Sequence, residues 1–128
     1  MHMSGKTVLI VDDEELYRKA LQRILKRAGH EVSLAPSGPE ALALIGNDQF
    51  DLVLCDLQMP GMSGLELIES VRETHPDLPC ILVTGHGGPE QSIEALGAGA
   101  FWYLEKPFEQ ERLDTVRSLV KKAIEHGR

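Results

Sequence analysis

Short segments typical of strands alternate with segments of helical periodicity along almost the whole chain. Strands are predicted over residues 7–11, 31–35, 52–55, 80–84 and 101–104. Between them, apolar residues recur every three or four positions, as on one face of a helix. Strands separated by helices in this way predict right-handed βαβ units and a parallel sheet with helices on both faces.

The pattern also indicates where the helices begin and end. Leu16, Ala20, Ile24 and Ala28 lie on one face of the first helix, and Gly29 ends it. Ser37 is suited to cap the second helix, which is predicted to reach residue 45 and to end at residues 46–48. Further helices are expected at residues 64–74, at about residues 90–96, and in a long terminal segment after residue 107.

The central strand is the most informative element. Its four apolar residues, 52–55, are too few for a globular helix, so they indicate a strand buried on both faces that carries Asp56 to its end. The segment 59–64 then forces a turn, because Pro60 fixes its own φ and two glycines follow it. Asp56 is therefore expected at a strand end beside a shaped loop, where open α/β sheets bind ligands.

Composition limits the possible classes of function. The chain has 128 residues, 42% of them hydrophobic, which suits one domain with a single core. Residues 6–126 are assigned to that domain, and residues 1–5 to a tag remnant and disordered start. A net charge of −7 argues against direct nucleic-acid binding and favours a basic partner.

Cysteine usage and hydropathy predict a cytoplasmic location without membrane contact. Cys55 and Cys80 lie inside apolar runs, and the chain has no secretory leader, so we expect reduced thiols in a core. Whether the two could approach closely enough to bond remains open at this point. No apolar run approaches the roughly 20 residues that cross a bilayer.

Polar residues follow four of the predicted strands. Asp12 and Asp13 come after the first strand, Asp56 after the third, Thr84 ends the fourth, and Lys106 follows the fifth. In a parallel sheet these strand ends lie on one edge. Three carboxylates there would repel by roughly 4 kcal/mol per pair at 4 Å and a dielectric constant of 20, unless a cation joined them.

The residue types at this edge indicate phosphoryl chemistry. An open carboxylate site that keeps water ligands suits Mg²⁺. The Lys106 ammonium and the Thr84 hydroxyl could hold the oxygens of a phosphoryl group. A carboxylate can itself act as the nucleophile and form an aspartyl phosphate.

These positions together resemble the receiver domain of two-component response regulators, a bacterial signalling family. The resemblance rests on the acidic pair, on Asp56 followed by Met59-Pro60 and Gly64, on Thr84, and on Lys106-Pro107-Phe108. It covers residues 7 to about 125 and is strongest for receivers of the nitrogen-regulation type and of hybrid histidine kinases. It implies a flavodoxin-like (βα)5 fold with strand order 2-1-3-4-5.

The resemblance also implies a role for each site residue. Asp56 would be the phosphoacceptor, and Asp13, Asp56 and the main-chain carbonyl of Gln58 would bind Mg²⁺, with Asp12 helping through water. Thr84 and Lys106 would hold the phosphoryl oxygens.

Four further positions would tune or transmit the signal. Tyr103 matches an aromatic that changes rotamer as Thr84 moves, and Pro107 follows a peptide bond that is usually cis in the family. Gln58 and His86 border the path of attacking water and are expected to tune the lifetime of the phosphoryl group. Trp102 replaces an acidic residue that is common in such relatives, and it fits either a core position or an exposed anchor.

The implied function is a phosphorylation switch and not an enzyme with its own substrate. A histidine kinase or a phosphotransfer protein would donate the phosphoryl group. The surface of the fourth helix, the fifth strand and the terminal helix (α4-β5-α5 in the family) would then change for an effector or a homodimer. The cognate kinase, the regulated process and any attached output module are not readable from the sequence.

Other interpretations remain to be tested. Each polar residue alone could be ordinary, because acids favour helix starts and Thr84 or Lys106 could simply end a strand or carry a solvated charge. Flavin-binding, dehalogenase-like and P-loop proteins are disfavoured, since the glycine-rich phosphate loops and the second aspartate that they need are missing. The main alternative is a receiver fold that binds proteins without phosphorylation.

Overall fold

Five parallel strands form one sheet in the order β2-β1-β3-β4-β5. The computed structural model describes residues 6–84, 96–105 and 113–126. The strands are β1 (Thr7–Val11), β2 (Glu31–Ala35), β3 (Leu52–Asp56), β4 (Cys80–Thr84) and β5 (Trp102–Glu105). The helices are α1 (Glu15–Arg27), α2 (Gly38–Asn47), α3 (Gly64–Thr74) and the terminal helix (Leu113–His126). The predicted flavodoxin-like order 2-1-3-4-5 is confirmed.

The sheet separates two apolar layers, because successive side chains of a strand point to opposite faces. On β1, Val8 and Ile10 pack in one cluster with residues of α1 and the terminal helix. Leu9 and Val11 pack in the other cluster with residues of α2 and α3. All five residues of β3 are buried, as expected for the central strand of a sheet covered on both faces.

Most predicted boundaries agree with the structure, and one differs. The second helix was predicted to reach residue 45 and to end at residues 46–48. It runs through Asn47, because the main-chain amide of Asp48 still donates to the carbonyl of Leu44 at 2.8 Å. Glycine disfavours a helix interior by only about 1 kcal/mol, which this bonding overcomes. The fifth strand runs one residue later than predicted, from Trp102 to Glu105.

The predicted fourth helix lies almost entirely outside the described residues. Of residues 90–96 only Leu96 is described, and it is helical together with residues 97 and 98. Among the described helices, none is long and apolar enough to cross a membrane.

The two cysteines are free and buried, on neighbouring strands of the same layer. Cys80 is in register with Val53, and Cys55 with Leu82, so the cysteines are offset by two residues. This offset separates their Cα atoms by about 8 Å, whereas a disulfide needs less than about 7 Å. The prediction of core thiols is confirmed, and the question of a bond between them is answered against it.

Candidate functional site

Two strand ends carry buried aspartates to one edge of the sheet. Asp56 is the last residue of β3 and is 5% exposed, and Asp12 directly follows β1 and is 1% exposed. The main-chain amide of Asp12 still donates to the carbonyl of Ala35 at 3.1 Å. The main-chain amide of Leu57 donates to the carbonyl of Val83 at 2.9 Å. Sheet pairing therefore continues through both aspartates and holds their backbones in place.

Asp12, Asp13 and Asp56 form a cluster in which one carboxylate oxygen of each lies within 4.8 Å of the others. Oxygen ligands of an octahedral Mg²⁺ at 2.0–2.1 Å stand about 3 to 4 Å apart, so small side-chain rotations suffice to fit the ion. Asp13 is exposed while the other two are buried, which leaves an open side for water. The donor set thus fits a hard divalent cation that retains water ligands.

Hydrogen bonds from α1 and from the residue that precedes it fix the orientation of Asp12. The main-chain amide of Glu14 donates to Asp12 Oδ1 at 2.8 Å, and the Arg18 guanidinium donates to the main-chain carbonyl of Asp12 at 2.6 Å. Arg18 was not among the residues predicted from the sequence. The available signal was a basic residue one helical turn beyond Glu14, the residue that precedes the predicted helix.

The loop between β3 and α3 is shaped as its sequence predicts. Gly61 has a φ of +84°, a conformation that side chains rarely adopt, and Met59 is buried in the core. Ser63 and Glu66 form a capping box at the start of α3. Gln58 lies two residues beyond Asp56 in this loop, and its side chain is exposed.

The backbone of the neighbouring strands brings further predicted residues to the same edge. Asp56 is in register with Val83, so Thr84 stands one position beyond it on β4, and Thr84 is in register with Glu105. Lys106 is the next residue in the chain, but it lies outside the described residues, as do His86 and Pro107. Their predicted roles stay predictions.

Trp102 and Tyr103 form a stacked pair on the edge strand β5. Their ring centroids are 5.6 Å apart with an angle of 20° between the planes. Tyr103 is partly buried against the α2/α3 core layer, whereas Trp102 is 47% exposed. Of the two interpretations of Trp102, the core position is wrong and an exposed position is observed.

The polar groups, the shaped loop and the sheet order agree with one family. A family model of the response regulator receiver domain matches residues 8–117. The chain belongs to this family. The family predicted from the sequence is thereby confirmed, and receiver domains are signalling domains of two-component response regulators.

Relatives of this receiver domain include two transcriptional regulators. It is 43% identical over 110 residues to the C4-dicarboxylate transport transcriptional regulatory protein DctD of Rhizobium meliloti, covering 86% of this chain and 24% of that protein. It is 39% identical over 124 residues to the DNA-binding transcriptional regulator NtrC of Salmonella typhimurium, covering 97% of this chain and 26% of that protein. The chain thus spans about a quarter of their length.

The chain is also similar to solved structures of response regulators. The response regulator protein TrrA of Thermotoga maritima, in complex with Mg²⁺-BeF, superimposes with a TM-score of 0.82 at 35% identity. The match covers 92% of this chain and 98% of TrrA. The receiver fold therefore extends over almost the whole chain.

Proposed function

We propose that this receiver domain accepts a phosphoryl group on Asp56 from a phosphohistidine of a histidine kinase or a phosphotransfer protein. The observation that carries the proposal is the cluster of Asp12, Asp13 and Asp56, with carboxylate oxygens within 4.8 Å at one edge of the sheet. Two of these three neighbouring carboxylates are buried, which is unfavourable by itself. Such an arrangement is expected at a site that binds a cation together with a phosphoryl group.

The transfer needs only one bond to form and one to break. A carboxylate oxygen of Asp56 attacks phosphorus, the N–P bond of the donor breaks, and its electron pair returns to the imidazole nitrogen. Asp56 is suited to this step because β3 fixes its backbone, which limits the directions from which a donor can approach. Lys106 and Thr84, assigned by position in the sequence, would neutralise the phosphoryl oxygens.

Asp13, Asp56 and the Gln58 carbonyl are the groups that would hold Mg²⁺, with Asp12 acting through water. When bound, the ion would offset the charge that accumulates on the transferring phosphoryl oxygens. Asp12 would be kept in place for this role by its bonds from Glu14 and from Arg18. The Mg²⁺-BeF complex of TrrA supports the proposal by likeness of fold and sequence.

The output is a change of surface. The new dianionic group would draw in Thr84, and Tyr103 would then rotate towards the vacated space. The fourth helix, β5 and the terminal helix would present an altered surface to an effector or to a second copy. Trp102 is exposed and stacked on Tyr103, so a rotation of Tyr103 would change the surroundings of the Trp102 ring. Only a partner with different affinities for the two states converts this change into a signal.

Incubation with acetyl phosphate and Mg²⁺ followed by intact-mass measurement tests the proposal. Wild-type protein should gain one phosphoryl group, and Asp56→Asn should gain none. Asp51→Asn is the matched control, because Asp51 lies at the opposite end of β3 and an amide can still accept the hydrogen bond from the Thr7 amide. It should be phosphorylated like wild type. Absence of any adduct on wild type, with no Mg²⁺ binding, would favour an interaction module that works without phosphorylation.

A further inference from the structure

We infer that Gly64, the first residue of α3, is a positioning residue for the acidic cluster. This inference rests on the proposed function, because it concerns the same cation site. Because Gly64 has no side chain, α3 can lie close to β3. This close approach sets the position of Asp56 and of the loop carrying Gln58 relative to β1.

Gly64 lies against the backbone of β3 with no space for a side chain. A Cβ atom at Gly64 would overlap the main-chain carbonyl oxygen of Asp56 and would lie 3.0 Å from the carbonyl carbon of Asp56 and from Leu57 Cα. These are backbone atoms held in the sheet, so they cannot turn aside as a flexible side chain can. Gly64 is not among the described glycines with positive φ, so glycine is required here by space and not by conformation.

Hydrogen bonds hold Gly64 in this place from both sides. Its amide donates to the carbonyl of Leu57 at 2.9 Å, which closes the loop of residues 57–64. The Cys55 thiol, on the strand beneath, donates to the carbonyl of Gly64 at 3.8 Å. The Ser63–Glu66 capping box fixes the helix start next to it. The first turn of α3 and the end of β3 therefore form one unit.

This unit carries Asp56 and Gln58, whereas Asp12 and Asp13 belong to β1 and its following turn. A side chain at Gly64 would have to push α3 away from β3 or turn the Asp56 peptide. Either movement displaces Asp56 and the Gln58 carbonyl relative to the two aspartates that follow β1. Mg²⁺ demands near-ideal octahedral geometry, so a displacement that the fold tolerates is expected to weaken ion binding.

Mg²⁺ titration of Gly64→Ala by calorimetry, together with thermal unfolding in EDTA, tests the inference. The expected result is a folded variant whose Mg²⁺ dissociation constant rises about tenfold or more, a loss of about 1.4 kcal/mol in binding. Gly46→Ala is the matched control, because a Cβ at Gly46 meets nothing within 4 Å. It should bind Mg²⁺ like wild type. A purely structural role would lower the unfolding temperature of Gly64→Ala and leave its Mg²⁺ affinity unchanged.

The outcomes separate this inference from the proposed function. Wild-type protein that binds no Mg²⁺ would overturn the proposed function. A wild type that binds Mg²⁺, with equal affinity in folded Gly64→Ala, would overturn only the role of Gly64. If Gly64→Ala does not fold, Cys55→Ala takes its place, since it removes the donor beneath the Gly64 carbonyl, and Cys55→Ser retains one. Weaker Mg²⁺ binding in the alanine variant than in the serine variant supports the inference, and wild-type affinity in Cys55→Ala contradicts it.

Discussion

The carboxylates of Asp12 and Asp56 approach each other across two neighbouring strands while both residues are almost completely buried, at 1% and 5% exposure. Strands β1 and β3 pair directly, with Val11 in register with Cys55. The residues that follow these two, Asp12 and Asp56, therefore stand side by side. Burial of two like charges in this arrangement disfavours the fold until a cation joins them.

Removal of one charge from the cluster should therefore stabilise the metal-free protein. Asp13→Asn is expected to raise the free energy of unfolding in EDTA by about 1 kcal/mol, because one carboxylate no longer repels two others. The same variant should lose most of the stabilisation that millimolar Mg²⁺ gives the wild type, since a ligand is missing. Chemical denaturation with and without Mg²⁺ measures both effects.

Asp77→Asn serves as the control for this experiment. Asp77 is exposed on the connector before β4, at the end of the sheet opposite the cluster. Its substitution should change neither the free energy of unfolding in EDTA nor the stabilisation by Mg²⁺ beyond experimental error. Equal stabilisation by Mg²⁺ in Asp13→Asn and wild type would show that Asp13 is not a ligand.

Beryllofluoride, a phosphoryl mimic, should change the fluorescence of Trp102 in the presence of Mg²⁺. Trp102 is the single tryptophan of the chain and stacks on Tyr103, so a rotation of Tyr103 alters its surroundings. Asp56→Asn should show no response. A constant wild-type signal, under conditions where beryllofluoride is shown to bind, would contradict the coupling between Asp56 and β5.

His30 should make the protein less stable as the pH falls. Burial lowers the pKa of His30 from its usual 6.5, outweighing nearby Asp51, and its Nδ1 accepts a hydrogen bond from the Lys6 amide at 3.1 Å. Below pH 6.5 the unfolded chain therefore binds this proton more readily than the folded one, so stability is lost as pH falls through that value.

A variant that lacks only the His30 imidazole measures the size of this effect. His30→Asn can still accept the Lys6 hydrogen bond but does not titrate. Its unfolding temperature should fall less between pH 7 and pH 5 than that of wild type, as read by calorimetry. A parallel fall in both proteins would assign the pH dependence to other groups.

Neither cysteine should react in the folded protein. Burial raises the pKa of the Cys80 thiol to about 12 and that of Cys55 well above its usual range, with Cys80, Asp56 and Asp12 adding to the shift at Cys55. The thiolate is the reactive form, so iodoacetamide at pH 8 should label neither residue until guanidinium unfolds the chain. Fast labelling of native protein would show that the sheet opens locally.

The fold could be predicted because strand and helix signals here are local. The β-branched run of β1 and the apolar run 52–55 each read as buried strands, and Gly29, with a φ of +94°, ends α1 as expected. The polar residues that follow the strands could be placed at one edge of the sheet, because the carboxyl ends of parallel strands lie on the same side. Asp12, Asp13 and Asp56 could therefore be grouped without coordinates.

Contacts between distant segments could not be predicted in the same way. The close approach of Gly64 to Asp56, the bond from Arg18 to the Asp12 carbonyl and the stacking of Trp102 on Tyr103 depend on helix placement and rotamers. Helix α2 extends two residues past residue 45, within the predicted end at residues 46–48, because the hydrogen bond from the Asp48 amide continues the helix past Gly46.

The central claim is that the carboxylate of Asp56 becomes the acyl phosphate of the switch. The most direct measurement is borohydride reduction of protein treated with acetyl phosphate and Mg²⁺, because reduction converts an aspartyl phosphate into homoserine. Tandem mass spectrometry of the proteolytic peptides then locates the change. We predict homoserine at position 56 in wild type, in Mg²⁺-dependent yield. Homoserine at position 12, 13 or 51 instead, or none at all in protein shown to bind Mg²⁺, would contradict the account.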